Sequence, residues 1–112
     1  MHILQLVPTL EVGGVERGVI DLARGLIRRG HRVSVVSGGG ALVDYLTACG
    51  AEHDELPIGE KSLTSVRRCL PALEQFIRAH DVDIVHARSR VPAWIVFLAA
   101  RRTQRPFVTT AH

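Results

Sequence analysis

The chain has 112 residues, enough for one α/β domain with a single core and too few for two. An apolar content of 46% excludes a disordered sequence, and the longest apolar run, Val91 to Ala100, is about half of what crosses a bilayer. The formal charge of +3 comes from dispersed arginines (Arg24, Arg28, Arg29, Arg67, Arg68, Arg101, Arg102, Arg105), which suit an anionic substrate or membrane surface as well as ordinary solvated helix faces. Cys49 and Cys69 have no metal spacing, and the N-terminus lacks a secretory pattern, so a reduced, cytoplasmic setting is expected.

Apolar periodicity divides the chain into alternating strands and helices. Ile3–Val7 reads as a buried strand. Pro8 to Gly14 is a glycine turn, and Val15–Arg29 reads as a helix with Val15, Val19, Leu22 and Leu26 on its inner face. Arg17 and Asp21 are spaced for an i,i+4 ion pair on the outer face. Gly30 is placed to end the helix in a left-handed turn. A second strand, Arg32–Val36, leads through Ser37-Gly38-Gly39-Gly40 into a short helix, Ala41–Cys49. Glu52–Leu56 reads as an edge strand, followed by a loop from Pro57 to Lys61.

Ser62 or Thr64 caps a longer helix to Ala79. Its inner stripe is Val66, Leu70, Leu73, Phe76 and Ile77, and Pro71 is expected to kink it on the outer side. Asp83–His86 is the fourth strand. Ser89 is a candidate cap for a helix to Arg102 with Pro92 in its first turn, and Phe107–Thr110 is the fifth strand. The fourth helix is apolar on every side and needs cover on more than one face, which predicts self-association as a homo-oligomer.

Strands joined by helices imply right-handed crossovers and a Rossmann-like, doubly wound parallel sheet of about five strands in a three-layer α/β/α domain spanning residues 1–112. The expected order is 3-2-1-4-5, with a ligand crevice at the carboxyl ends of strands one and four. Three features converge there: Gly13-Gly14, His86-Ala87-Arg88-Ser89, and Thr109-Thr110-Ala111-His112. Paired glycines let backbone amides approach an anion at a helix N-terminus. Glu16, in the first turn of the helix, lies toward the apolar face and is a candidate to bind a hydroxyl or position Arg17. Arg88 is a candidate clamp for a phosphate or carboxylate, and His86 ends its strand as either a core residue or a ligand group. Gly13, Gly14 and Gly18 do not make the dinucleotide fingerprint, and Ser37 stands where a ribose-binding acid belongs, so a nicotinamide oxidoreductase is disfavoured. Strand one ends without the acidic cluster of a signalling receiver. A non-catalytic flavodoxin-like module that binds nucleotide or phosphate remains the alternative.

The segments PTLEVGGVER (Pro8 to Arg17), DIVH (Asp83 to His86) and VTTAH (Val108 to His112), in this order and spacing, resemble the N-terminal domain of the two-domain GT-B glycosyltransferases, in particular family four, also called group 1. The resemblance implies retaining transfer of a sugar from a nucleotide-sugar donor to a carbohydrate or lipid-linked acceptor, with no metal, no cofactor and no nucleic-acid partner. It implies that this domain holds the acceptor. The nucleotide and a two-glutamate motif belong to a C-terminal domain beyond this chain, so the chain is expected to be a truncated N-terminal domain, inactive alone. It places Gly13, Gly14, Glu16, Arg17, His86 and Arg88 in substrate binding and His112 against the transferred sugar as the catalytic histidine. Relatives often carry a second histidine where Arg88 stands. The same resemblance points to polysaccharide or lipopolysaccharide synthesis by a hexosyltransferase, with peripheral contact at the inner face of the plasma membrane.

Overall fold

The computed structural model describes residues 1–7, 10, 14–56, 63–88 and 93–110, with backbone alone for 14–16, 63–66, 93, 94, 109 and 110. Within them the elements run β1 (His2–Leu6), α1 (Gly14–Arg28), β2 (Arg32–Ser37), α2 (Val43–Ala48), β3 (Glu52–Glu55), α3 (Leu63–Ala79), β4 (Ile84–Arg88), α4 (Ala93–Thr103) and β5 (Phe107–Thr110). The strands form one parallel sheet in the order β3-β2-β1-β4-β5, the doubly wound arrangement that the alternation implied. Leu6 pairs with Val36 and Ala87, and Ala87 with Thr109, so the carboxyl ends of β2, β1, β4 and β5 share one edge. Pairing with β5 carries β4 on to Arg88, beyond the His86 end expected from hydropathy.

Each face of the sheet has its own core. Leu4, Leu6, Val36, Val85 and Ala87 pack against α3 and α4 through Leu73, Ile77, Ile95 and Val96. Val7, Val33 and Val35 pack against α1 and α2 through Val19, Ile20, Ala23 and Leu46. The inner stripe of α1 differs by one position from the expected one: Ile20 and Ala23 are buried and Leu22 is exposed. Both sets fit the 3.6-residue period, and the face that packs on the sheet is the one turned toward residues 20, 23 and 27. The Arg17–Asp21 pair is not formed among the ion pairs of the described residues. Arg32–Glu52, Arg102–Glu74 and Arg105–Asp81 are formed, all at the surface, where such pairs add little stability. The helix α3 is unbroken through Pro71, which lies on its exposed side. The expected caps Ser62 and Ser89, and Pro92, lie outside the described residues, and the side chain of Thr64 is not described.

Helix ends return the chain to the sheet with left-handed residues. At α1, Gly30 (φ 88°) donates its N–H to Ile27 O and His31 donates to Leu26 O, the paired bonds of a Schellman turn. Asp81 (φ 50°) and Gln104 (φ 58°) occupy the same position after α3 and α4. A side chain there costs about 1–2 kcal/mol that glycine avoids. Gln104→Gly is therefore expected to raise stability by about 1 kcal/mol, read as a higher urea midpoint with unchanged slope.

The amino-terminal edge of the sheet is tied by His2, which is 5% exposed. Its backbone N–H donates to Asp83 Oδ2 at 2.7 Å. Its Nδ1–H donates to the His80 carbonyl at 2.8 Å, and Nε2 shares a hydrogen bond with the Ser34 hydroxyl at 2.6 Å. This histidine is a structural tie on the edge opposite the crevice. No group of three metal-ligating side chains occurs among the described residues.

Candidate functional site at the carboxyl edge of the sheet

The crevice forms where the chain leaves β1 for one face and β4 for the other. This reversal of winding direction opens a gap above the central strands. Gly14 is the first residue of α1, a 15-residue helix whose free N-terminal amides and dipole point toward that gap. Across it, β4 brings His86 and Arg88 to the same edge as Gln5 and Leu6 of β1. His86 and Arg88 are both half-buried, and burial pushes the Arg88 guanidinium below its ordinary pKa. A cation already partly stripped of water gains more from an anion than a fully hydrated one.

Arg17 is placed differently. It is exposed and lines a groove of about 310 Å³ between α1 and α2, with Ile20, Asp21, Arg24, Leu42 and Tyr45. Because α2 follows β2, this groove lies on the β2 side of β1, while His86 and Arg88 lie on the β4 side. Gly13 and His112 lie outside the described residues, and the Glu16 side chain is not described. The structure therefore brings the start of α1 to the same edge as β4 and sets Arg17 in a flanking groove.

Two features of this region were not legible as site residues in the sequence. Gln5 is fully buried in the central strand, in register with Val35 and His86, and neither atom of its amide has a hydrogen-bond partner among the described residues. An unsatisfied buried donor or acceptor costs about 1–3 kcal/mol, so Gln5→Leu is expected to stabilise the domain by about that amount. A loss of stability in that variant would mean that the amide has a partner in solution. The second feature is Ser37 on β2, which hydrogen-bonds His53 of β3. Burial pushes the His53 imidazole below its ordinary 6.5, against the opposing pull of Glu55 and Asp54. Because the folded value is the lower one, the unfolded chain takes the proton first. The stability from this group is complete above about 6.5 and declines as pH falls below it. Denaturant midpoints are expected to drop between about pH 7 and 5, and to drop less in His53→Gln.

Similarity to known proteins agrees with this geometry. A glycosyltransferase from Rickettsia africae ESF-5 has the same fold with a TM-score of 0.85 and 40% identity over 96% of this chain. The match takes up 28% of that protein, so the chain spans less than a third of its length. MurG of Acinetobacter baumannii superposes with a TM-score of 0.76 at 17% identity, over 98% of this chain and 34% of that one. The C-terminal domain of the PF1911 hydrogenase of Pyrococcus furiosus superposes with a TM-score of 0.70 at 16% identity, over 96% and 89%. The last two likenesses establish the fold alone. No curated protein matches the chain. The sequence profile of glycosyltransferase family 4 matches residues 12–112, almost the whole length, and the chain belongs to that family.

Proposed function

We propose that the chain is the acceptor-side part of a retaining glycosyltransferase that moves a hexosyl group from a nucleotide-sugar donor to a carbohydrate or lipid-linked acceptor. The observation that carries this reading is the meeting of the α1 N-terminus and the Arg88 end of β4 at one sheet edge, in a member of glycosyltransferase family 4. The amides of Gly13 and Gly14 receive a phosphate, each bond to the anion contributing about 1.5–3 kcal/mol. Arg88 clamps a second anionic group, and His86 and Glu16 meet acceptor hydroxyls. Arg17 binds a peripheral anionic group of the acceptor from the α1–α2 groove. His112 contacts the transferred sugar, where an imidazole donates to a hydroxyl and stabilises developing charge.

A second α/β domain supplies the nucleotide site, and the 112 residues alone do not turn over. The aligned share of the Rickettsia africae glycosyltransferase supports this division. The same reading places the enzyme in the cytoplasm, in polysaccharide or lipopolysaccharide synthesis, with peripheral membrane contact; no described helix is long and apolar enough to cross a membrane. Phe97 and Phe107, exposed and packed edge to face at 6.3 Å, form an apolar patch beside edge strand β5 that supports self-association of the isolated chain. A monomer at high concentration in light scattering would remove that part of the reading.

The test is nucleoside diphosphate release by the intact enzyme across a panel of nucleotide sugars and acceptors. The expected result is release dependent on one donor class, lost in Arg88→Ala, with the product keeping the donor's anomeric configuration. Phosphate binding with no release from any nucleotide sugar would identify a non-catalytic binding module instead.

A further inference from the structure

The turn after β2 is built around one hydroxyl. Ser37 is fully buried, and its Oγ accepts the Gly39 N–H at 3.0 Å. The same oxygen lies 2.6 Å from His53 Nε2. A hydroxyl has one proton and two lone pairs, so Ser37 accepts from the Gly39 amide and still shares a hydrogen bond with Nε2. Gly39 holds φ +91°, where a Cβ would also overlap the Glu55 carboxylate. In that conformation the Gly39 carbonyl accepts the Leu10 N–H at 2.9 Å, and the Leu10 carbonyl accepts the Leu42 N–H at 2.7 Å. Leu10 lies between β1 and α1, inside the segment that ends at Gly14, and its side chain is fully buried in the core under α1 and α2.

A chain of hydrogen bonds therefore runs from β3 through β2 to the middle of the β1–α1 segment: His53, Ser37, Gly39, Leu10. Every residue in this chain is at least partly withdrawn from water. The Ser37–His53 pair has the look of a nucleophile and its base. Burial excludes that role, because no substrate reaches an oxygen with no exposed surface.

We propose that Ser37 and His53 are positioning residues, which clamp the β1–α1 segment through Gly39 and Leu10 and so fix where the α1 N-terminus presents its amides. The use of those amides for an anion rests on the function proposed above. The clamp itself does not. The charged groups that face His53 are Glu55 and Asp54 on its own strand, with Ser37 opposite on β2. These carboxylates favour the charged ring, and burial opposes them.

Amide hydrogen exchange followed by NMR on the 112-residue chain tests the clamp. In Ser37→Ala the Leu10 and Leu42 amides are expected to exchange about tenfold faster. The β1 and β2 ladder amides, such as Leu4 and Val35, are expected to keep their wild-type rates, and Ser37→Thr to restore protection at Leu10. The His53 Nε2 resonance is expected to move in Ser37→Ala. Unchanged Leu10 protection, or a uniform rise at all amides, would overturn the proposal and leave Ser37 an ordinary core residue. A parallel titration with inorganic pyrophosphate separates the two readings. Faster Leu10 exchange together with weaker pyrophosphate binding supports both. Faster exchange with no pyrophosphate binding in the wild type supports the clamp and removes the anion role of the α1 N-terminus.

Discussion

Gly14→Val in the active enzyme is expected to lower turnover by about a hundredfold or more while the melting temperature stays near that of the wild type. Gly14 is the first residue of α1, and on the proposed function a branched side chain there hinders a phosphate from reaching the backbone. A branched side chain there displaces the anion from one or two amides. Hydrogen bonds to a charged group are worth about 1.5–3 kcal/mol each, and losing one or two gives that factor. Valine at the first helical residue costs little fold stability, because the amides of the first turn have no helix partner to lose. Steady-state kinetics with a thermal melt on the same preparation separates the two effects. Near-wild-type turnover would show that the paired glycines only shape the turn.

Leu73→Ala is expected to carry a large stability effect in the described core. Leu73 is fully buried on α3 in the cluster with Leu4, Leu6 and Val85 that joins the central strands to the α3–α4 layer. A buried leucine reduced to alanine loses transfer energy and leaves a cavity, for a total of about 2–5 kcal/mol. That is a large share of the 5–15 kcal/mol typical of a whole domain. Urea unfolding is expected to show the midpoint falling by this amount at constant slope. A loss below about 1 kcal/mol would mean that the layer repacks around the gap.

Much of the fold was legible because each element carries its own punctuation. The first apolar run lies one residue from the observed β1, the glycine at 30 ends α1 as expected, and the alternation they reveal leaves few topologies for a parallel sheet. The errors fall where local pattern gives way to pairing or phase. Ending β4 at His86 followed hydropathy, whereas β5 extends the pairing to Arg88. Reading Leu22 of α1 as inward had the helical period right and the face wrong, because the helix turned Ile20 and Ala23 inward instead. Gly30 was readable as a helix end because glycine is the usual residue there. Asp81 and Gln104 were not, since tertiary packing imposes the same backbone on residues that resist it.

The site was less legible than the fold. His86 and Arg88 sit where the strand order puts them, yet nothing in the sequence distinguished them from Arg17, which the α1–α2 groove takes to another flank. Gln5 reads as one polar residue in an apolar strand, and only the register shows it beside His86. Ser37 was read as the absence of an acid. Its hydrogen bond to His53 joins residues 16 apart in sequence, and no local pattern reveals such a contact.

The account stands on one placement: anionic ligands bind at the carboxyl edge of the sheet, where β1 and β4 diverge. An NMR titration of the chain with inorganic pyrophosphate measures it directly. The predicted result is saturable shifts confined to the amides from Gly14 to Gly18 and from His86 to Arg88. Shifts centred on His2, His80 and Asp83 at the opposite edge, or no saturable shift at all, would contradict it.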